Sequence, residues 1–191
     1  MQTNINYNYW HLTKSDDDDL NSSWHLFTKK ALEQINLEGK ELLEIGCGRG
    51  GISNYIATNH NEILKLYACD YSASAVEIGK TKYGTFNNRI DWKIQDLQNL
   101  EFKDNSIDVA ISLETIEHIP KASMGIKELY RVLKPGGKLI LTCPNYFNFF
   151  GIWCLYRKII GKPFDEGGQP FLRYIQLPFI YRKIISVGFK I

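Results

Sequence analysis

Neither a bilayer span nor a secretory leader is expected from this sequence. None of its apolar runs approaches the ~18 residues of a bilayer span. Met1-Gln2-Thr3-Asn4 has neither the basic start nor the apolar stretch of a secretory leader. Cysteine is scarce: Cys47, Cys69, Cys143 and Cys154 stand far apart, without the paired spacing of a metal site. Reduced thiols in a cytoplasmic protein are the expectation, and a catalytic thiol is not. A strong basic excess is also missing. The net charge is +2 with no basic motif, which argues against nucleic acid as a partner. There are no repeats and no low-complexity linkers. At 191 residues, with 44% hydrophobic and 23% charged, the chain reads as one globular domain, 1–191.

What is present begins with Leu42-Leu43-Glu44-Ile45-Gly46-Cys47-Gly48-Arg49-Gly50-Gly51. An apolar run opens into a turn holding four glycines, and a helical pattern follows. Such a loop brings backbone amides close to a ligand, because glycine has no Cβ in the way. Asp70 closes the next apolar run, 20 residues beyond Gly50, where a carboxylate accepts hydrogen bonds from a ribose. Together the two features point to a nucleoside cofactor.

Around them, helix and strand signals alternate. Ser22 or Ser23 caps a helix to about Ile35. Strands are expected at 40–45, 63–69, 90–95, 107–112 and 138–143. Helices are expected at 50–58, from a Ser72 cap to about Tyr83, and at 122–133. Lys134-Pro135-Gly136-Gly137 reads as a hard stop between the last helix and the last strand. The order predicts a Rossmann-like, doubly wound, mostly parallel α/β sheet. Residues 1–36 would form an N-terminal cap, 37–145 the cofactor-binding core and 146–191 the substrate-side helices. Residues 1–20 are polar with scattered aromatics, and Asp16 to Asp19 read as a solvated run without a metal role.

Glu44-x-Gly46-x-Gly48-x-Gly50, Asp70, Gln95-Asp96-Leu97, the strand of Asp108 and Leu133-Lys134-Pro135-Gly136-Gly137 together resemble the class I S-adenosylmethionine-dependent methyltransferases, over residues 20–145. The nearest subgroups are small-molecule methyltransferases of quinone and lipid biosynthesis. The resemblance implies S-adenosyl-L-methionine as cofactor and a set of roles. Gly46, Cys47, Gly48 and Gly50 pass beneath its methionine part, with Glu44 orienting that loop. Asp70 takes the ribose hydroxyls, and Tyr71 lies along the adenine or ribose. Asp96 accepts from the adenine amino group, beside the Leu97 amide. Leu113 and Glu114 border the methionine and the substrate. His118 is the candidate general base. The activity implied is methyl transfer to an O or N atom of a lipid, quinone, polyketide or sugar-like acceptor. Two alternatives stay open. Gly46, Gly48 and Gly51 also fit the G-x-G-x-x-G of NAD(P)-dependent oxidoreductases, and a degenerate nucleoside-binding protein would keep the same loop.

Three further features bear on the acceptor and on partners. Glu114, Glu117 and His118 spell E-x-x-E-H, which resembles a divalent-metal site of some methyltransferases; no metal is assigned here. Residues 146–160 are densely aromatic, with Arg157 and Lys158 interleaved. They read as an apolar acceptor pocket, a core helix or a membrane-facing amphipathic helix. Residues 1–120 hold 11 Lys/Arg and 18 Asp/Glu, net −7, whereas 121–191 hold 12 and 3, net +9. Finally, the family continues past a Gly-Phe pair into a strand hairpin. Gly188-Phe189 lies at the end here, so an incomplete hairpin, an open edge at the fifth strand and homodimerisation are expected.

Overall fold

A computed structural model describes residues 2–13, 20–84, 88–146, 148–162, 171–172 and 177–190; Asp16 to Asp19 lie outside them. The strands are β1 (Glu41–Ile45), β2 (Lys65–Asp70), β3 (Ile90–Ile94), β4 (Ile107–Leu113) and β5 (Leu133–Thr142). The helices are α1 (Gln2–Thr13), α2 (Ser23–Leu32), α3 (Gly51–Asn59), α4 (Ala73–Tyr83), α5 (Ala122–Val132), α6 (Phe149–Ile159) and α7 (Leu177–Ser186). The strands form one sheet in the order β3-β2-β1-β4-β5, with every neighbouring pair parallel.

A parallel sheet is covered on both faces by its crossover helices, so its central strand is apolar throughout. Strand β1 follows this with Leu42, Leu43 and Ile45 buried, and Glu44 is its one buried polar residue. Leu42 packs with Ile52 and Ile56 of α3 and with Leu66 and Val109. Leu43 and Ile45 face the other layer, with Ile126, Leu129 and Val132 of α5 and Ile180 of α7. From β1 the chain steps outward to β3, then returns to lay β4 on the opposite side of β1. The crossovers diverge at that point, which opens a crevice beyond the carboxyl ends of β1 and β4.

Several boundaries differ from expectation. Strand β5 starts directly at Leu133, paired with Ile107, and resumes with Lys138 opposite Val109. Lys134 to Gly137 are thus an irregularity inside the strand rather than a stop before it. Lys134 Nζ lies 2.7 Å from Asp108 Oδ2, which also accepts from the Glu41 amide at 3.0 Å. The Asp108 carboxylate therefore clamps three strands at the end of the sheet away from the crevice. Ser22 stands at the start of α2, but its hydroxyl meets His25 Nδ1 at 2.7 Å rather than a backbone amide. Ser72 does cap α4, accepting from the Ala75 amide at 3.2 Å. Beyond α7, Phe189 sits edge-on to Tyr130 with ring centroids 5.1 Å apart, and β5 is a sheet edge among the described residues.

Candidate functional site

The end of β1 turns sharply because the Gly46 and Cys47 amides both donate to the Cys69 carbonyl, at 2.8 and 2.9 Å. Gly46 takes φ +78, a conformation open to glycine. A Cβ there would overlap Thr115 Oγ1 and lie 2.9 Å from Thr115 Cβ. The Gly48 amide donates to Asp70 Oδ2 at 2.8 Å, and the Ser72 amide donates to Asp70 Oδ1 at 2.8 Å. Both carboxylate oxygens of Asp70 therefore tie the glycine loop to the β2–α4 turn, and each keeps a lone pair for a ligand. After β3, Asp96 Oδ1 accepts from the Gln98 amide at 2.8 Å. After β4, Glu114 is held at φ +46, its amide directed at the Thr142 carbonyl.

These residues share one cavity of about 430 Å³. Gly46, Gly48, Asp70, Tyr71, Asp96 and Leu97 line it, as do Glu114 and His118. Four of the expected cofactor residues stand outside the lining. Glu44 is 4% exposed and accepts from Ser53 Oγ, so it braces α3 beneath the loop. Cys47 and Leu113 pack into the apolar layer under β1. Gly50, at φ +82, is pressed against the Trp92 ring, where a Cβ has no room.

The outer wall comes from the N-terminus. Tyr7, Trp10 and His11 of α1 and Trp24 and His25 of α2 close the cavity. Helix α1 is docked by polar contacts. Asn8 Oδ1 accepts from Ser72 Oγ at 2.8 Å and from the Ser74 amide at 3.2 Å. The Arg49 guanidinium donates to the His11 carbonyl. The Tyr7 hydroxyl lies 3.2 Å from the His118 carbonyl and 3.3 Å from that of Phe171, sharing its hydrogen between them. None of these α1 or α2 residues is a candidate from sequence. The only signal is Tyr7 and Trp10 at helical spacing in a polar stretch. Residues 146–160, expected on the substrate side, contribute nothing to the described lining.

The titratable groups follow their surroundings. Burial pushes the Glu44 carboxyl up to about 7, against the pull of the Ser53 hydroxyl and with the Asp70 charge adding to the rise. Burial holds the His118 imidazole below its ordinary value, so it is neutral at pH 7. His118 Nδ1 lies 2.7 Å from the Phe171 carbonyl. A carbonyl only accepts, so Nδ1 carries the hydrogen and Nε2 the lone pair. Glu117 is fully buried, with Oε1 3.7 Å from His118 Nε2. Among the described residues no group of three His, Cys, Asp or Glu side chains is placed to hold an ion.

A crevice at the switch point of a parallel sheet, floored by a glycine turn and flanked by carboxylates after adjacent strands, suits a nucleoside cofactor. Asp70 and Asp96 offer acceptors for sugar hydroxyls and a base amino group, and the positive φ of Gly46 and Gly48 lets the chain turn tightly beneath them. The sheet and the crevice define a Rossmann-like nucleoside-binding fold. The chain belongs to the methyltransferase domain family, whose sequence model matches residues 43–141, just over half of it. It is 27% identical over 168 residues to the ubiquinone/menaquinone biosynthesis C-methyltransferase of Geotalea daltonii, covering 83% of this chain and 69% of that protein. It is 32% identical over 113 residues to the ubiquinone biosynthesis O-methyltransferase of Coxiella burnetii, covering 59% of this chain and 47% of that one. The chain thus spans 69% of the first of these relatives and about half of the second. Its fold is similar to that of a methyltransferase solved in complex with the Haloferax volcanii activator Trm112, with a TM-score of 0.72 and 19% identity, covering 95% of this chain and 75% of that one. Family membership disfavours the NAD(P)-dependent oxidoreductase reading.

Proposed function

We propose that the chain acts in the cytoplasm and transfers a methyl group from S-adenosyl-L-methionine to an oxygen or nitrogen atom of a small acceptor of the lipid, quinone, polyketide or sugar-like kind. The observation that carries this reading is the composition of one cavity. Acceptors for a nucleoside lie on its floor, and a neutral, wired histidine and an aromatic wall lie opposite. The kinship to quinone-methylating proteins supports an acceptor with an apolar or ring-shaped body.

S-adenosylmethionine, when bound, supplies an already activated methyl on a sulfonium. What the chain adds is positioning, dryness and a proton acceptor. Asp70 and Asp96 hold the nucleoside, and the Gly46–Gly48 turn lets it lie close to the backbone. Tyr7, Trp10 and Trp24 exclude water and present apolar faces to the acceptor. His118 removes the acceptor's proton at Nε2, while the Phe171 carbonyl fixes its tautomer and ring plane. Glu114 borders the same space from the end of β4.

The test measures labelled methyl transfer to phenolic and amine acceptors alongside calorimetric binding of S-adenosylhomocysteine. Asp70→Asn is expected to weaken that binding about 10- to 150-fold, the ~1.5–3 kcal/mol of hydrogen bonds to a charged acceptor. His118→Ala is expected to lower kcat about 10²- to 10⁴-fold and leave that affinity unchanged. Binding without transfer to any acceptor would favour the degenerate nucleoside-binding protein. Full kcat in His118→Ala would remove His118 from the reaction.

A further inference from the structure

Helix α6 is an amphipathic helix with its apolar stripe turned outward. Its inner side is anchored by Cys154, which is fully buried, and by Gly151, where a Cβ would overlap the Tyr146 carbonyl. The opposite stripe runs Phe149, Ile152, Tyr156, Ile159, spaced at three and four residues along one helical face. These four side chains are 90%, 65%, 58% and 75% exposed. A soluble protein scatters single apolar residues over its surface, but a contiguous stripe marks a binding face.

We propose that this face docks the protein on an anionic lipid bilayer. The charge around the stripe selects that occupant. Helix α6 has no acidic residue and ends in Arg157 and Lys158. From Glu128 to Asp165 the sequence has no carboxylate in between, yet it holds six Lys/Arg. A second copy packed stripe to stripe would bring the same cations face to face, because a two-fold interface is self-complementary. An anionic lipid surface neutralises them instead. The Arg157 guanidinium stands over the Trp153 ring, 5.4 Å from its centroid, a pairing suited to the headgroup layer. The helix would lie in the plane of the interface, with its stripe in the acyl boundary and its cations among the phosphates. The α6 face does not line the cavity, so the inference stands apart from the acceptor reading.

The test is co-sedimentation of the full chain with phosphatidylcholine vesicles, with and without phosphatidylglycerol, at low salt and at about 1 M salt. The expected result is partition onto the anionic vesicles that falls at high salt. Arg157→Gln with Lys158→Gln should weaken it about 25-fold, some fivefold for each cation removed. Ile152→Asp with Ile159→Asp should abolish it. Both variants are expected to keep the wild-type melting temperature and S-adenosylhomocysteine affinity, since the changed side chains lie outside the core and the cavity. Equal partition onto neutral vesicles, no partition at all, or full partition of the Asp variant would overturn the proposal. So would a concentration-dependent dimer that the Asp pair converts to monomer, which would assign the face to a second copy.

Discussion

Gly46→Ala tests the geometry on which the site is built. Two separate costs meet at this residue. Its φ of +78 lies in the region where an L residue is strained by roughly 1–2 kcal/mol. Its new methyl would also overlap Thr115 Oγ1 and stand 2.9 Å from Thr115 Cβ. Thr115 is stiff at χ1, and its hydroxyl donates to the Leu113 carbonyl at 2.8 Å, so the turn after β4 must move; overpacking of this kind costs about 1–3 kcal/mol. The sum, about 2–5 kcal/mol, corresponds to a fall in melting temperature of roughly 4–20 °C for a chain of this size. A double-mutant cycle separates the two costs. Thr115→Ala alone loses one hydrogen bond, about 1 kcal/mol. In the double variant the overlap with Oγ1 and Cγ2 is relieved, while the approach to the Cβ that alanine keeps and the φ part persist, so the pair should be more stable than additivity predicts by about 1–2 kcal/mol. The assay is urea unfolding of the four proteins, followed by S-adenosylhomocysteine titration. Additivity within about 0.5 kcal/mol would refute the claimed contact between the first glycine and the β4 turn.

The remaining predictions concern two carboxylates. Glu44 moves from an ordinary value of 4.5 to about 7 on folding, so between those values the folded chain holds a proton that the unfolded chain has released. Stability therefore falls as pH rises through that window, with about 3 kcal/mol lost by pH 8. Glu44→Gln should flatten the slope of unfolding free energy between pH 5 and 8, and an unchanged slope would show that another group titrates. Glu114 is held at φ +46, which glycine adopts freely. Glu114→Gly is expected to raise the melting temperature by about 2–4 °C, the strain relieved less the entropy cost of glycine, and to slow methyl transfer. A lower melting temperature would mean that contacts of the Glu114 side chain outweigh the strain.

How far the site was legible depends on where the information lies along the chain. Gly46, Gly48, Asp70 and Asp96 sit at strand tips, so the spacing of apolar runs and turn residues places them without tertiary knowledge. The same logic also selected Glu44, Cys47, Gly50 and Leu113, which stand outside the cavity lining. Adjacency in sequence cannot say that Glu44 turns down to Ser53, or that Gly50 packs against the Trp92 ring. Helix α1 was invisible for a different reason. It has few apolar residues at helical spacing, and what docks it is the Asn8 side chain on the α4 cap and backbone carbonyls meeting Arg49 and Tyr7. Such contacts exist once the sheet has brought distant turns together.

Helix α6 shows the limit most clearly. Its apolar residues recur at three and four positions, as those of α5 do. Periodicity reports that a helix has two unlike faces, but not which one meets the protein. In α5 the apolar face is sealed in one cluster with Leu43, Ile45, Ala110 and Ile180, and Ile126, Leu129 and Val132 vanish from solvent. In α6 Gly151 lies against the Tyr146 backbone, where a Cβ would overlap its carbonyl, and the small Cys154 is fully buried. The bulky residues are left outside. The sizes of two small residues, rather than the pattern of the large ones, decide which way this helix faces, and with it whether the aromatic segment walls the acceptor cavity or meets something beyond the molecule.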